Sequence, residues 1–153
     1  MKFIADAMLG KLAKWMRVLG YDVEYFSRIS DEELIERAEE SGRMILTRDT
    51  LLSKRRKVRG NHFFIRGDHY RDQLRQVLGR FPLTTQTGIF SRCLVCNEPL
   101  QPVDREEAHE KVPPYVYETQ DEFETCPSCG RIYWSATHVE EMEKQLRKMG
   151  LCG

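Results

Sequence analysis

Two sets of residues have the types and the spacing to do chemistry. The first is a pair of cysteine motifs, Cys93-Leu-Val-Cys96 and Cys126-Pro-Ser-Cys129, with 29 residues between them. Each suits a tight knuckle turn, and together they supply four thiolates to one tetrahedral Zn²⁺. Four sulfur ligands close the coordination sphere, so a zinc at Cys93, Cys96, Cys126 and Cys129 is read as structural. A module this small would draw much of its folding energy from that metal. The second set is four aspartates, Asp6, Asp31, Asp49 and Asp68, each at or soon after the end of a strand-like run. Carboxylates gathered in one place repel one another unless a cation sits among them. Hard ions such as Mg²⁺ or Mn²⁺ prefer oxygen ligands and keep waters for chemistry. An ion held by Asp6, Asp31 and Asp49 would activate water and offset charge on a phosphoryl group, which is metal-assisted phosphodiester hydrolysis.

Strands that end on one edge must position those acids. Lys2–Ala5 reads as a strand stopping at Asp6, and Tyr21–Phe26 alternates in a strand-like way. Met44–Leu46 is a short buried run before Asp49, and His62–Arg66 is a fourth strand candidate. Helices are expected between them. The first, from about Ala7 to Leu19, has Met8, Leu9, Leu12, Trp15, Met16 and Leu19 at helical spacing, with Lys11, Lys14 and Arg17 on its other face. The second opens with the capping box Ser30–Glu33 and stops at Gly42; a last one runs from about Asp68 to Arg80. Four alternations of strand and helix predict an α/β fold, a parallel sheet with helices on both faces. In such a sheet the carboxyl ends share one edge, and ligands sit beyond it. The competing reading is that the acids cap helices, which suits Asp68 and Asp49 and the helix dipole at Asp31. Asp6 needs no cap on this reading. If Asp6 and Asp49 are ligands, Asn at either position should cost little stability, since an ion-free site would lose a mutual repulsion.

The bulk numbers narrow the class. The chain has 153 residues, 41% hydrophobic and 31% charged, enough for one domain with a smaller appendage. No apolar run is long enough to span a bilayer as a helix, and lysines interrupt the N-terminal segment, so no membrane role and a cytoplasmic setting are expected. Five cysteines in such a chain read as metal ligands rather than disulfides. The net charge of zero hides a division. Residues 1–90 hold 17 Lys+Arg against 12 Asp+Glu, and residues 91–153 hold 7 against 12. Two modules are therefore expected, 1–90 and 91–153, the basic one suited to a polyanion. Its densest positive stretch holds Lys54, Arg55, Arg56, Lys57 and Arg59, close after Asp49; a phosphate backbone is the partner it predicts, a solvated face the alternative. In the second module Pro113-Pro114 sits in a long loop, Arg131–Trp134 reads as a strand and Val139–Met149 as a terminal helix. His138 is read as structural, and Cys152 is assigned no function.

The stretches DAMLGKLAKWMRVLGYDVEY and SDEELIERAEESGRMILTRD, then RCLVCNEPL…VPP…F…CPSCGRIYWSATH, together resemble the Mut-seven C-terminal RNase family. The resemblance runs from Asp6 to His138. It implies a PIN-like nuclease domain joined to a zinc ribbon, and a metal-dependent ribonuclease whose acidic site is Asp6, Asp31 and Asp49 with Mg²⁺ or Mn²⁺. PIN domains usually have a fourth acid, for which Asp68 is the nearest candidate. They also often carry Glu at the second position, where this chain has Asp31 with Glu32 and Glu33 beside it. RNA is the implied partner, contacted by Lys11, Lys14 and the run at 54–59, with the ribbon aiding RNA or protein binding. The alternative is a non-catalytic module of the same fold that docks on RNA, the ribosome or another RNA-processing protein. A toxin neutralised by a small partner protein is a third reading, disfavoured by the ribbon.

Overall fold

The computed structural model describes residues 1–82, 90–134 and 137–148. By its internal contacts the chain separates into two compact units, Met1–Asn97 and Glu98–Gly153. The first is built on four parallel strands: β1 (Lys2–Ala5), β2 (Asp22–Tyr25), β3 (Met44–Thr47) and β4 (His62–Phe64), in the order β2-β1-β3-β4. Their short apolar runs are those of strands buried on both faces. Helix α1 (Gly10–Val18) follows β1 through a 3₁₀ turn at Ala7–Leu9, and α2 (Asp31–Ser41) follows β2. The short α3 (Thr50–Ser53) and a 3₁₀ turn at Arg56–Val58 link β3 to β4, and α4 (Tyr70–Arg80) follows β4. The α/β expectation is borne out.

Alternation along the strands divides the core. Ile4 and Ile45 point to one face, where Leu34, Ile35 and Ala38 of α2 pack with Leu52 of α3 and Val58. Phe3 faces the other way and meets Tyr21 and Phe81 edge to face, at 5.7 and 5.1 Å between centroids. That second face is covered by α1 and α4, which pack against each other. Local signals stop the helices where the sequence puts them. Ser30 Oγ accepts from Glu33 N–H at 3.1 Å, and Gly42 takes the left-handed conformation (φ 65°) that ends α2.

The second unit holds an antiparallel sheet of β5 (Gln101–Val103), β6 (Phe123–Thr125) and β7 (Ile132–Tyr133), in that order. The loop carrying Pro113-Pro114 contains more structure than expected. Two short helices, α5 (Arg105–Ala108) and α6 (Pro114–Thr119), place Ala108, Val112 and Val116 against Phe123. Pro114 opens α6, a first-turn position where its missing N–H costs nothing. Helix α7 spans Thr137–Lys148. The side chain of His138, and Cys152, lie outside the described residues. No described helix is long and apolar enough to cross a membrane.

Candidate active site and metal centre

The strand order reverses between β1 and β3: β2 lies on one side of β1, and β3 and β4 on the other. In such sheets ligands sit beyond the carboxyl ends at the switch point, where Asp6 directly follows β1 and Asp49 lies two residues past β3. Asp6 is buried, and its backbone N–H donates to Leu46 O at 2.9 Å, extending β1 by one rung. Its Oδ1 accepts from Met8 N–H at 2.8 Å. Its Oδ2 accepts from the Thr47 hydroxyl at 2.5 Å and from Arg48 N–H at 2.9 Å. Thr47 in turn accepts from Asp49 N–H at 2.9 Å. One threonine thus couples the two acids. Nothing in an apolar strand ending in Thr announces that role, because the carboxylate it meets is 41 residues earlier.

Asp49 Oδ1 accepts from Leu51 N–H at 2.9 Å and Leu52 N–H at 3.3 Å, so Asp49 caps α3. Asp6 likewise caps the 3₁₀ turn after β1, a role the sequence did not suggest. Tyr25 braces that turn by donating to Ala7 O at 2.9 Å. Its ring lies so close to α1 that a Cβ at Gly10 would stand 2.7 Å from the phenol oxygen. A carboxylate offers about four lone-pair sites. Asp6 keeps one on Oδ1, and Asp49 Oδ2 makes no hydrogen bond to the described residues. Two carboxylates with open lone pairs suit a hydrated hard ion, which commonly takes one or two protein carboxylates plus substrate phosphate.

The other two acids stand apart from this pair. Asp31 opens α2 and is ion-paired to Arg55 at 3.5 Å; Arg55 also reaches Glu32 at 3.1 Å. Glu32's own backbone N–H, then Arg55, hold its carboxyl below the usual range. Asp68 is exposed beyond β4 and is not the cap of α4; the His69 ring caps that helix. Asp6, Asp31, Asp49 and Asp68 do not form a group of three or more ligand atoms close enough to share an ion, and among the described residues only the four cysteines do. Lys54, Arg55, Arg56, Lys57 and Arg59 are all exposed, anchored by buried Val58. Arg55 and Lys57 line a groove with Glu32, Glu36 and Glu39, so part of the run's charge is already met by α2. Lys11 and Lys14 are exposed on α1, but Arg17 is not on a solvated face.

The four thiols of Cys93, Cys96, Cys126 and Cys129 lie within 4.8 Å of one another. A tetrahedral zinc with bonds of about 2.3 Å needs sulfurs roughly 3.8 Å apart, a small contraction of this cluster. The turns match: Asn97 and Gly130, each just after a second cysteine, have φ 70° and 76°. Their N–H groups return to Cys93 O at 2.9 Å and Cys126 O at 2.8 Å. Buried Arg17 holds the first knuckle from outside. It donates to Val23 O at 3.0 Å, Leu94 O at 2.9 Å and Val95 O at 3.2 Å. Burial lowers the Arg17 pKa, and the thiols of Cys93 and Cys96 oppose that shift. Asn97 Oδ1 accepts from Val23 N–H at 3.0 Å, and its amide donates to Asp22 at 2.6 Å. The knuckle is therefore fixed to β2, the edge strand of the first sheet.

Among protein-family models, the one described as Mut7-C RNAse domain matches residues 1–146. The chain belongs to the Mut7-C RNAse domain family. Neither curated proteins nor solved structures yield a match. The Mut7-C match spans both the parallel sheet and the cysteine cluster. The family's description suggests a nuclease and implies RNA as the substrate. Within that Mut7-C frame, the cysteine cluster is a site that could hold zinc.

Proposed function

We propose that the protein is a metal-dependent ribonuclease whose working carboxylates are Asp6 and Asp49. The supporting observation is the chain Asp6–Thr47–Asp49 at the switch point: two acids on adjacent strands, held by one hydroxyl and each left with an open lone pair. A Mg²⁺ or Mn²⁺ ion between them would supply charge compensation and a more acidic water. Thr47 fixes the orientation of Asp6, and the cap at Leu51 and Leu52 fixes that of Asp49. Asp31 joins at the rim, where its pairing with Arg55 gives way as RNA phosphate offers Arg55 another partner. Exposed ion pairs of this kind contribute little, so the exchange is cheap. Lys11, Lys14, Lys54, Arg56, Lys57 and Arg59 take backbone phosphates. Asp68 is the remaining acid on this edge. A zinc at the four cysteines is structural and organises the ribbon, which aids RNA or partner binding. Reduced cysteine ligands suit a cytoplasmic setting.

A second reading has its own support: Asp6, Asp31 and Asp49 each already have a structural partner, as in a non-catalytic RNA- or ribosome-binding module. Asp49→Asn separates the two. Asparagine caps as well as aspartate, so the variant should keep its fold and RNA binding and lose Mn²⁺-dependent cleavage of RNA. Undiminished cleavage in Asp49→Asn would reject the proposed site. Tight RNA binding by the wild type without any cleavage would establish the second reading.

A further inference from the structure

Outside the acidic site, three rings form a continuous stack at the start of α4. Buried Trp15 of α1 stacks on Tyr70 (centroids 5.4 Å apart, planes 12°), and Tyr70 on His69 (5.0 Å, 21°). His69 is exposed. Two exposed cations surround the stack: Lys11 Nζ lies 4.6 Å from the Tyr70 ring centre and the Arg71 guanidinium 5.8 Å. The imidazole is fixed a second time, since its Nδ1 accepts from Arg71 N–H at 3.2 Å. That bond puts the ring proton on Nε2. A histidine cap is an odd choice. Asp68, a better capping type, stands one residue earlier and is not used. Stacking on Tyr70 settles the ring at this position, and the result is an exposed ring held flat.

Position supplies the rest. Helices α1 and α4 both begin at the carboxyl edge of the sheet, because each follows a parallel strand, and they cover one face together. The run at 54–59 belongs to the opposite face, with α2 and α3. The ring stack lies on the α1–α4 side, with the cations Lys11 and Arg71 beside it. A flat, immobilised ring beside cations is the arrangement that holds unpaired bases, since every base has a stacking face and the cations take the neighbouring phosphates.

We propose that His69, backed by Tyr70 and Trp15, is a stacking platform for an unpaired RNA base beside the acidic site, with Lys11 and Arg71 taking flanking phosphates. The proposal rests on the reading of RNA as ligand and adds that the strand is single. Two substitutions separate it from a capping role. Asn at 69 caps the helix but offers no ring, whereas Phe offers a ring and no cap. Binding of fluorescent oligouridine to zinc-loaded protein, without added Mg²⁺ or Mn²⁺, is compared with binding of the same strand annealed to oligoadenine. His69→Asn should weaken oligouridine binding roughly 5- to 150-fold with its melting temperature unchanged. His69→Phe should keep most of the affinity and melt lower. Wild-type affinity in His69→Asn, or equal affinity of the wild type for single strand and duplex, overturns the platform alone. A wild type that binds neither RNA overturns the RNA reading with it.

Discussion

Replacing Asp6 by Asn should cost far more stability than replacing Asp49, and the hydrogen bonds say how much. The two oxygens of Asp6 accept three donors: Met8 N–H on one, the Thr47 hydroxyl and Arg48 N–H on the other. An asparagine amide must put its NH₂ where one oxygen was. Turned toward Met8, it strands one partly buried N–H, at about 1–3 kcal/mol. Turned toward Thr47, it strands Arg48 N–H and forces the hydroxyl to reverse, so the first orientation wins. The two bonds left on the other oxygen then lose their charge assistance, at about 1 kcal/mol each. The total is about 3–5 kcal/mol. At Asp49 the bonded oxygen accepts both donors and the other accepts none from the described residues. Asparagine can keep that cap, at a few tenths of a kcal/mol. Urea unfolding of both variants, each prepared with zinc, measures the difference. Equal costs, or a gain in stability at Asp6, would mean that carboxylate repulsion outweighs these hydrogen bonds and would refute the reasoning. The initial expectation that both amides are harmless is thus revised for Asp6, and only Asp49→Asn tests catalysis cleanly.

Stripping zinc with a chelator should unfold the second unit and also speed amide hydrogen exchange at Val23, whose N–H is held by Asn97 of the first knuckle; exchange at Val23 unchanged on zinc removal would show the knuckle to be independent of β2. Arg17→Met keeps an apolar stem but leaves Val23 O, Leu94 O and Val95 O without their donor, so zinc should pass to a competing chelator about 10-fold more readily, the usual effect of removing a group that supports metal ligands. Reversing Lys54, Arg56 and Lys57 to Glu, with Arg55 kept so that Asp31 and Glu32 retain their partner, should lower the log–log salt slope of RNA binding by roughly 0.7 for each phosphate no longer neutralised. An unchanged slope would make the run a solvated face.

What could be read from the sequence was local. The four strands are apolar runs closed by turn residues, the Ser30–Glu33 box fixes the start of α2, and the paired CxxC spacing needs no partner outside itself to be recognised. What could not be read depends on atoms brought together from far apart. Arg17 shares helical spacing with Lys14 and Lys11 and passes for one more solvated cation. In the fold it is buried against carbonyls 77 residues away. The cap of α4 falls on His69 rather than Asp68, because stacking on Tyr70 settles the ring there, a tertiary contact overriding local preference. The helices after Arg105 and Pro114 were hidden for the opposite reason. They are so short that only packing of Ala108, Val112 and Val116 on Phe123 sustains them.

Capping and metal binding stand as rival explanations of the strand-end acids when only the sequence is read, and the geometry shows that the first leaves room for the second. A carboxylate that caps a turn uses part of its lone pairs, and using them fixes where the rest must point. Asp6 gives three of about four sites to the fold, and Asp49 gives one oxygen. Both therefore have their orientation already settled, and the ion proposed above would not need to order them. The same economy explains the weight carried by Thr47. Its hydroxyl donates to the Asp6 carboxylate and accepts from the Asp49 backbone N–H, so Thr47→Val, nearly equal in shape, would remove one of the three donors that orient the Asp6 carboxylate and leave the Asp49 N–H without its acceptor. The hydroxyl therefore sets where the open lone pair of Asp6 points, while the cap at Leu51 and Leu52 sets that of Asp49.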